Sequence, residues 1–268
     1  MSNHLFILAL AATLGLPLHA SAEGAKKIQD NSFLVEEAYN QEAGVVQHIQ
    51  SFMYLKQSKE WAYSFTQEWP VPDETHQLSY TIPVLRTPDP GASTGVGDIL
   101  LNYRYQAVAN ERVAFAPRLS IIAPTGDYKN GHGTGATGIQ VNLPLSVELS
   151  DTVVTHWNLG GTYTPKSKEP GGARADTVGS NYGASLIYLM TPNFNLMLEA
   201  AGANFQVVQP DGNTQREKTM FINPGFRYAA NFDSGLQVVS GVSRPIGVGS
   251  SSGTQGVLVY LSLEHPFK

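Results

Sequence analysis

Residues 139–149 read Ile-Gln-Val-Asn-Leu-Pro-Leu-Ser-Val-Glu-Leu, apolar and polar side chains in alternation around one proline. Successive side chains of a strand point to opposite sides. Ile139, Val141, Leu143, Leu145, Val147 and Leu149 therefore share one face, and Gln140, Asn142, Ser146 and Glu148 share the other. The same split recurs at 99–107, where Ile99, Leu101, Tyr103 and Tyr105 oppose Asn102, Arg104 and Gln106. In 113–121, Val113, Phe115, Leu119 and Ile121 oppose Arg118 and Ser120, and Val257, Val259, Leu261 and Leu263 form the last apolar face. Twelve such segments are expected, near 45–55, 61–70, 76–85, 95–107, 112–123, 138–149, 153–164, 177–191, 194–208, 218–229, 235–245 and 255–267. An even number of strands, each greasy on one side and wet on the other, is the pattern of a single-chain bacterial outer-membrane barrel.

The connections point the same way. Barrels of this kind alternate short periplasmic turns with longer outer loops. The expected short turns are Pro72–Thr75, Val108–Glu111, Ser150–Thr152, Thr191–Asn193 and Ala230–Ser234. The expected long loops are Arg86–Thr94, Thr125–Thr137, Pro165–Asp176, Gln209–Glu217 and Ile246–Thr254, and only the first outer turn, around Gln57–Glu60, is short. A soluble β-sandwich has no reason to obey such a rule.

Aromatic placement adds a third line. Trp61 and Trp69 lie on one face of one strand, roughly 20 Å apart along a tilted axis at strand rise. The lipid-facing band of a barrel is about 25 Å tall with an aromatic girdle at each rim. Trp61 and Trp69 are therefore expected as membrane-interface anchors, together with Phe267 in the final strand. Pro83, Pro117, Pro144, Pro224 and Pro245 fall inside expected strands; proline removes a ladder donor, so these positions are read as bulges or strand ends. Closure follows from solvent physics, because hydrocarbon offers no partner to an unpaired backbone N–H or C=O.

Composition excludes much else. The 268 residues carry 26 Gly, no Cys, 15% charged side chains and a net charge of −5. That rules out disulfide frameworks and thiolate metal sites, and leaves no basic field for nucleic acid. Beyond the N-terminus no apolar run approaches the roughly 18 residues of a spanning helix. Residues 1–22 read as a signal peptide, with an apolar stretch Leu5 to Leu18 and small residues Ala20-Ser21-Ala22 before the expected cleavage site. The organisation is then 1–22 signal peptide, 23–44 N-terminal periplasmic segment or plug, and 45–268 barrel.

The strings FLVEEAYNQEAGVVQ at 33–47, WAYSFTQEWPVPDETHQLSYTIPV at 61–84 and GVGDILLNYRYQ at 95–106 resemble the outer-membrane barrel family named after the MetA pathway of phenol degradation. The likeness covers essentially the whole mature chain, with 33–47 and Gly95-Val96-Gly97-Asp98 its most specific parts. It implies an outer-membrane barrel that serves as a channel for small molecules, including hydrophobic or aromatic compounds; the alternation of short and long connections separately leads to the expectation that both termini are periplasmic. It implies no catalytic or cofactor-binding residues. The expected partners are outer-membrane lipid, small-molecule solutes and the barrel assembly machinery during biogenesis.

If the apolar faces meet lipid, the lumen receives Glu68, Arg104, Arg118, Glu148, His156, Glu199 and Arg227, among polar neighbours such as Gln77, Asn102, Asn142 and Asn223. Specificity would come from the three arginines set against the three glutamates, and charges on one inner face either bridge into a closed core or line a narrow water path. A twelve-stranded barrel is wider than the eight-stranded ones that side chains just fill, so a small pore or a segment-narrowed one is expected. Residues 23–44, with Phe33, Leu34, Val35, Ala38 and Tyr39 beside Glu36 and Glu37, are the segment that could narrow it. The Gly-rich stretch 125–138 lacks the Gly-Lys-Ser/Thr ending of a phosphate loop and is read as a mobile outer loop. His132, with Asp127 as its only acidic neighbour there, makes no metal site. The only His-x-Ser is His19-Ala20-Ser21 in the expected signal, so no nucleophile and base stand at a recognisable spacing and no enzyme is expected. The competing reading is a non-conducting barrel that binds a ligand or a surface partner.

Overall fold

The computed structural model describes residues 30–267, and apart from two single 3-10 turns, Tyr128–Asn130 and Gly249–Ser251, all regular structure there is strand. Twelve wall strands form one antiparallel sheet. They are β1 (Val45–Leu55), β2 (Trp61–Pro70), β3 (His76–Arg86), β4 (94–105), β5 (113–123), β6 (138–150), β7 (Val153–Lys168), β8 (Arg174–Thr191), β9 (Phe194–Val208), β10 (Thr214–Asn231), β11 (237–247) and β12 (Gly256–Pro266). Each pairs with its sequence neighbours, and β12 returns to pair with β1 from Val45↔Pro266 to Leu55↔Gly256. The sheet is closed, so its ladder leaves no edge.

Alternation explains the faces. Leu101, Leu119, Ile121, Ile139, Val141, Leu159, Leu196, Leu198 and Val259 are exposed, whereas Gln77, Asn102, Ser120, Asn142, Ser146, Asn195 and Asn223 are buried. A water-soluble domain does the reverse; apolar outside and polar inside is the arrangement of a barrel in lipid. Trp61 and Trp69 are half-buried on that outer surface because each leans on a neighbouring ring, Trp61 on Phe52 and Trp69 on Tyr80. Phe267 is exposed, and its N–H donates to the Gly44 carbonyl at 2.8 Å, which joins the entry to β1 and the end of β12 at the short-turn end. The signal peptide expected at 1–22 lies outside the described residues.

Two expectations need correction. Much of the loops read at 165–176 and 209–217 is strand, leaving tips at 169–173 and 209–213. Beyond the apolar band both sides of a hairpin meet water, so polar residues such as Thr214 to Lys218 continue the ladder and polarity stops signalling a loop. Gly172 (φ 98°) and Gly212 (φ 82°) take the left-handed turn at those two tips, which side chains other than glycine resist. The second correction concerns proline. Pro117, Pro144 and Pro245 interrupt their strands as read, but Pro83 and Pro224 sit inside unbroken ones. Each of these two faces the discontinuity of the next strand, at 97–98 and 244–245 respectively, where no ladder donor is called for. Their carbonyls still accept, from Gly97 N–H at 2.8 Å and Arg244 N–H at 2.9 Å.

Candidate functional site

Cross-strand register carries single inward rows far around the wall. One runs Gln47, Glu68, Ser79, Asn102, Ser120, Gln140, Thr162. Another runs Ser146, His156, Ser185, Glu199, Asn223. Residues 30–44 lie against these rows without forming any strand of their own, so their backbone groups need partners from the wall.

The wall supplies them residue by residue. Leu34 N–H donates to Glu199 Oε1 at 2.8 Å, Glu36 N–H to Asn158 Oδ1 at 2.9 Å, and Ala38 N–H to Ser146 Oγ at 2.8 Å. Asn40 N–H donates to Gln106 Oε1 and Gln41 N–H to Gln77 Oε1. Carbonyls are met from the other side. Arg227 Nη1 donates to the carbonyls of Asp30 and Asn31, both at 2.9 Å. Arg104 donates to those of Glu37 and Tyr39 and to Asn40 Oδ1. Side chains complete the attachment: Asp30 Oδ1 accepts from Gln47 Nε2 and Tyr260 Oη, and Ser32 Oγ meets Ser185 Oγ at 2.7 Å. Phe33 enters an apolar cluster with Ile187, Met197 and Tyr260. Glycine makes room for it, since a Cβ on Gly225 or Gly241 would stand 2.6 or 2.5 Å from its ring.

The sequence-chosen residues are thus gathered largely around one strip of chain. Glu68, Arg104, His156, Glu199 and Arg227 are buried, while Arg118 and Glu148 are half-buried. Arg104 and Arg118 stand directly across from each other, a pairing of like charges that needs compensation. Glu36 provides it for Arg118 through two contacts, Nε to Oε2 at 3.0 Å and Nη2 to Oε1 at 2.6 Å. Glu68 lies 3.8 Å from Arg104 and accepts from Gln77 Nε2. Burial alone would raise the Glu36 carboxyl, but the Arg118 charge and hydrogen bonds outweigh it and hold it below its ordinary value. Glu37 goes the other way: burial, reinforced by the charge of Asp30, pushes its carboxyl well above the usual range. Its Oε2 has no hydrogen-bond partner among the described residues. His156 Nδ1 and Ser146 Oγ are 2.7 Å apart, a contact that spacing along the chain does not reveal. Ala38 N–H occupies the same oxygen, which leaves this serine covered.

Towards the long loops the inner wall changes character. The row Leu258, Met53, Ala62, Leu85, Gly95 is apolar throughout. Met53, Leu55, Ala62 and Leu85 border a cavity of about 240 Å³ whose remaining walls include Trp61, Arg86, Thr87 and Gly131. The stretch expected to be a mobile loop, 125–138, is held here. Asp98 accepts from Gly126 N–H at 2.9 Å, Thr134 N–H at 2.7 Å and Thr134 Oγ1 at 2.8 Å. Asp127 caps the Tyr128–Asn130 turn through Lys129 N–H, and His132 Nε2 meets Ser93 Oγ at 3.1 Å. Asp98 is not marked as a site residue by the sequence, and although residues 23–44 are expected as a possible plug, the wall side chains that hold their backbone are not. The one available signal was the coincidence of both with the most family-specific strings.

Comparison with known proteins fits this geometry. The family described as "Putative MetA-pathway of phenol degradation" matches residues 31–263, which includes nearly the whole inner strip. No curated protein sequence matches the chain. Among solved structures, an outer membrane channel from Pseudomonas putida F1 is similar with a TM-score of 0.66 at 14% identity, covering 86% of this chain and 98% of that one. The NanC porin (TM-score 0.54, 9% identity) covers 82% of this chain and 99% of its own. The KdgM porin (0.50, 9%) covers 84% and 99%. At these identities the likeness is one of fold.

Proposed function

We propose that this chain, which belongs to the MetA-pathway family of phenol degradation, is an outer-membrane channel through which small molecules, hydrophobic or aromatic ones among them, pass down their gradients. Both termini face the periplasm, and residues 30–44 act as a plug at that end. The observation that carries the reading is the division of the interior. Towards the long loops one row of the wall, Leu258, Met53, Ala62 and Leu85, is apolar and borders open space, while the short-turn end is occupied by a strip of the chain's own backbone hydrogen-bonded to the wall. The printed description of the P. putida structure as a channel, and of the two others as porins, supports passage rather than catalysis. No cofactor is called for.

The charged lumen residues then serve chiefly to seat the plug, and selectivity by charge is secondary. A second reading, a barrel that binds without conducting, is favoured by how completely residues 30–44 are anchored. Liposome swelling with refolded residues 23–268 separates the two, using graded sugars beside phenol-like and aliphatic solutes and subtracting unaided lipid crossing. Protein-dependent influx of a subset of solutes establishes the channel, and deletion of 25–42 raises it. No influx through a folded native barrel, together with no gain on deletion, rejects the channel reading.

A further inference from the structure

Gly95, Gly97, Asp98 and the loop 125–137 form one device. A Cβ on Gly95 would lie 2.4 Å from His132 Nδ1, and one on Gly97 would lie 3.2 Å from the His132 carbonyl oxygen. A Cβ on Gly126 or Gly133 would strike the facing backbone or Asp98 itself, at 2.4 Å in each case. These glycines are bare where the loop descends onto β4. Asp98 then ties it by three hydrogen bonds at 2.7–2.9 Å. The loop placed this way contributes Gly131 to the cavity bounded by Met53, Leu55, Ala62 and Leu85.

From this geometry we infer that Asp98 is the positioning residue of a partial roof, and that the half-open cavity beside it is a binding site for one ring-sized, largely apolar molecule without negative charge at the outer mouth. The size follows from volume: a dry apolar cavity of about 150 Å³ holds one benzene, and about 240 Å³ leaves room for a substituted single ring. The charge follows from the lining. The lining carries two charged side chains, Glu60 and Arg86. Arg86 is already occupied by Asp89 at 2.9 Å and by the Lys59 carbonyl, so among the described lining residues no free cation greets an anion and Glu60 disfavours one further. The inference rests on the channel reading for its transport consequence, while the roof itself stands on geometry alone.

Removing the tie tests it. Asp98→Ala should loosen the roof, raising influx of a disaccharide relative to arabinose about five-fold or more over native barrel, with Asp98→Asn intermediate. Heat-modifiable gel mobility confirms that each variant is folded, and Asp98→Asn carries the test if the alanine variant is not. The cysteine-free chain permits a lock. The His132 Cγ lies 3.0 Å from a Gly95 Cβ position, so the two Cβ atoms come within about 4.5 Å, inside disulfide reach. Gly95→Cys/His132→Cys added to Asp98→Ala should restore native size selection when oxidised and lose it on reduction. Unchanged selectivity across released and locked barrels overturns the roof. If the native barrel passes no solute, the channel reading fails separately, and the roof is read by labelling Met53→Cys with a membrane-impermeant maleimide. Labelling several-fold faster beside Asp98→Ala supports the roof; equal rates overturn it.

Discussion

The two halves of the interior solve opposite problems with the same wall. At the short-turn end a strip of irregular chain is taken in, and its N–H and C=O groups are met one by one by Glu199, Asn158, Ser146, Gln77, Arg104 and Arg227. At the long-loop end the row Leu258, Met53, Ala62, Leu85 offers no such partners, and space remains beside it. A buried amide left unpaired costs about 1–3 kcal/mol, so polar wall residues decide where backbone can be held and apolar ones decide where it cannot. On the proposed reading, sealing and passage are thereby assigned by side-chain polarity along strands that are otherwise continuous.

The strongest way to break the contrast is to remove the arginine that grips the start of the strip. Arg227 is 1% exposed, and Arg227→Ala should destabilise the barrel by about 3–5 kcal/mol, as expected when one partner of a buried charge network is lost. Thermal unfolding followed by circular dichroism gives the size. Limited proteolysis shows whether residues 30–44 come free while the strands persist. Glu36→Gln comes next, at about 1–3 kcal/mol, because it leaves Arg118 facing Arg104 without its two carboxylate contacts. Its signature is a loss of acid sensitivity. The native Glu36 carboxyl sits below its ordinary value, so its contribution is present above the unfolded carboxylate value and disappears as pH falls through the folded one.

Glu37 sharpens the comparison with the opposite sign. Its carboxyl is raised, so the stability it permits is complete below the unfolded carboxylate value and is lost as pH rises through the folded value. Glu37→Gln should make the strip hold more firmly at alkaline pH by about 1 kcal/mol, and conductance measured across pH should flatten. The smallest effect on stability belongs to the other half. Leu85→Asn, at a half-buried position beside open space, should shift unfolding by under about 1 kcal/mol while lowering influx of apolar solutes several-fold in liposomes.

Much of this is legible in the sequence. The strands announce themselves because lipid on one side and polar contacts on the other enforce a period of two, as at 139–149. Arg104, Arg118 and Arg227 were visible as inward for the same reason. Their partners were not, since Arg104 and Arg227 spend their donors on backbone carbonyls of Asp30, Asn31, Glu37 and Tyr39, and a carbonyl has no letter in a sequence. The extended hairpins β7–β8 and β9–β10 were underestimated because polar strand and polar loop look alike once the bilayer is left behind. The anchoring of 125–138 escaped for a different cause. Gly126 and Gly133 read as freedom, whereas each is bare because another part of the chain lies against it.

The inner strip also imposes an order of events. Asp30 meets Tyr260 across 230 positions of sequence, and Gly44 meets Phe267 at the seam of β1 and β12. Closing loops of that length carries an entropic cost before any contact repays it. Residues 30–44 precede every strand in the chain, yet their partners are complete only once the last strand has joined the first. Residues 30–44, the first described part of the chain, are therefore expected to dock last, their arrival marking a finished wall.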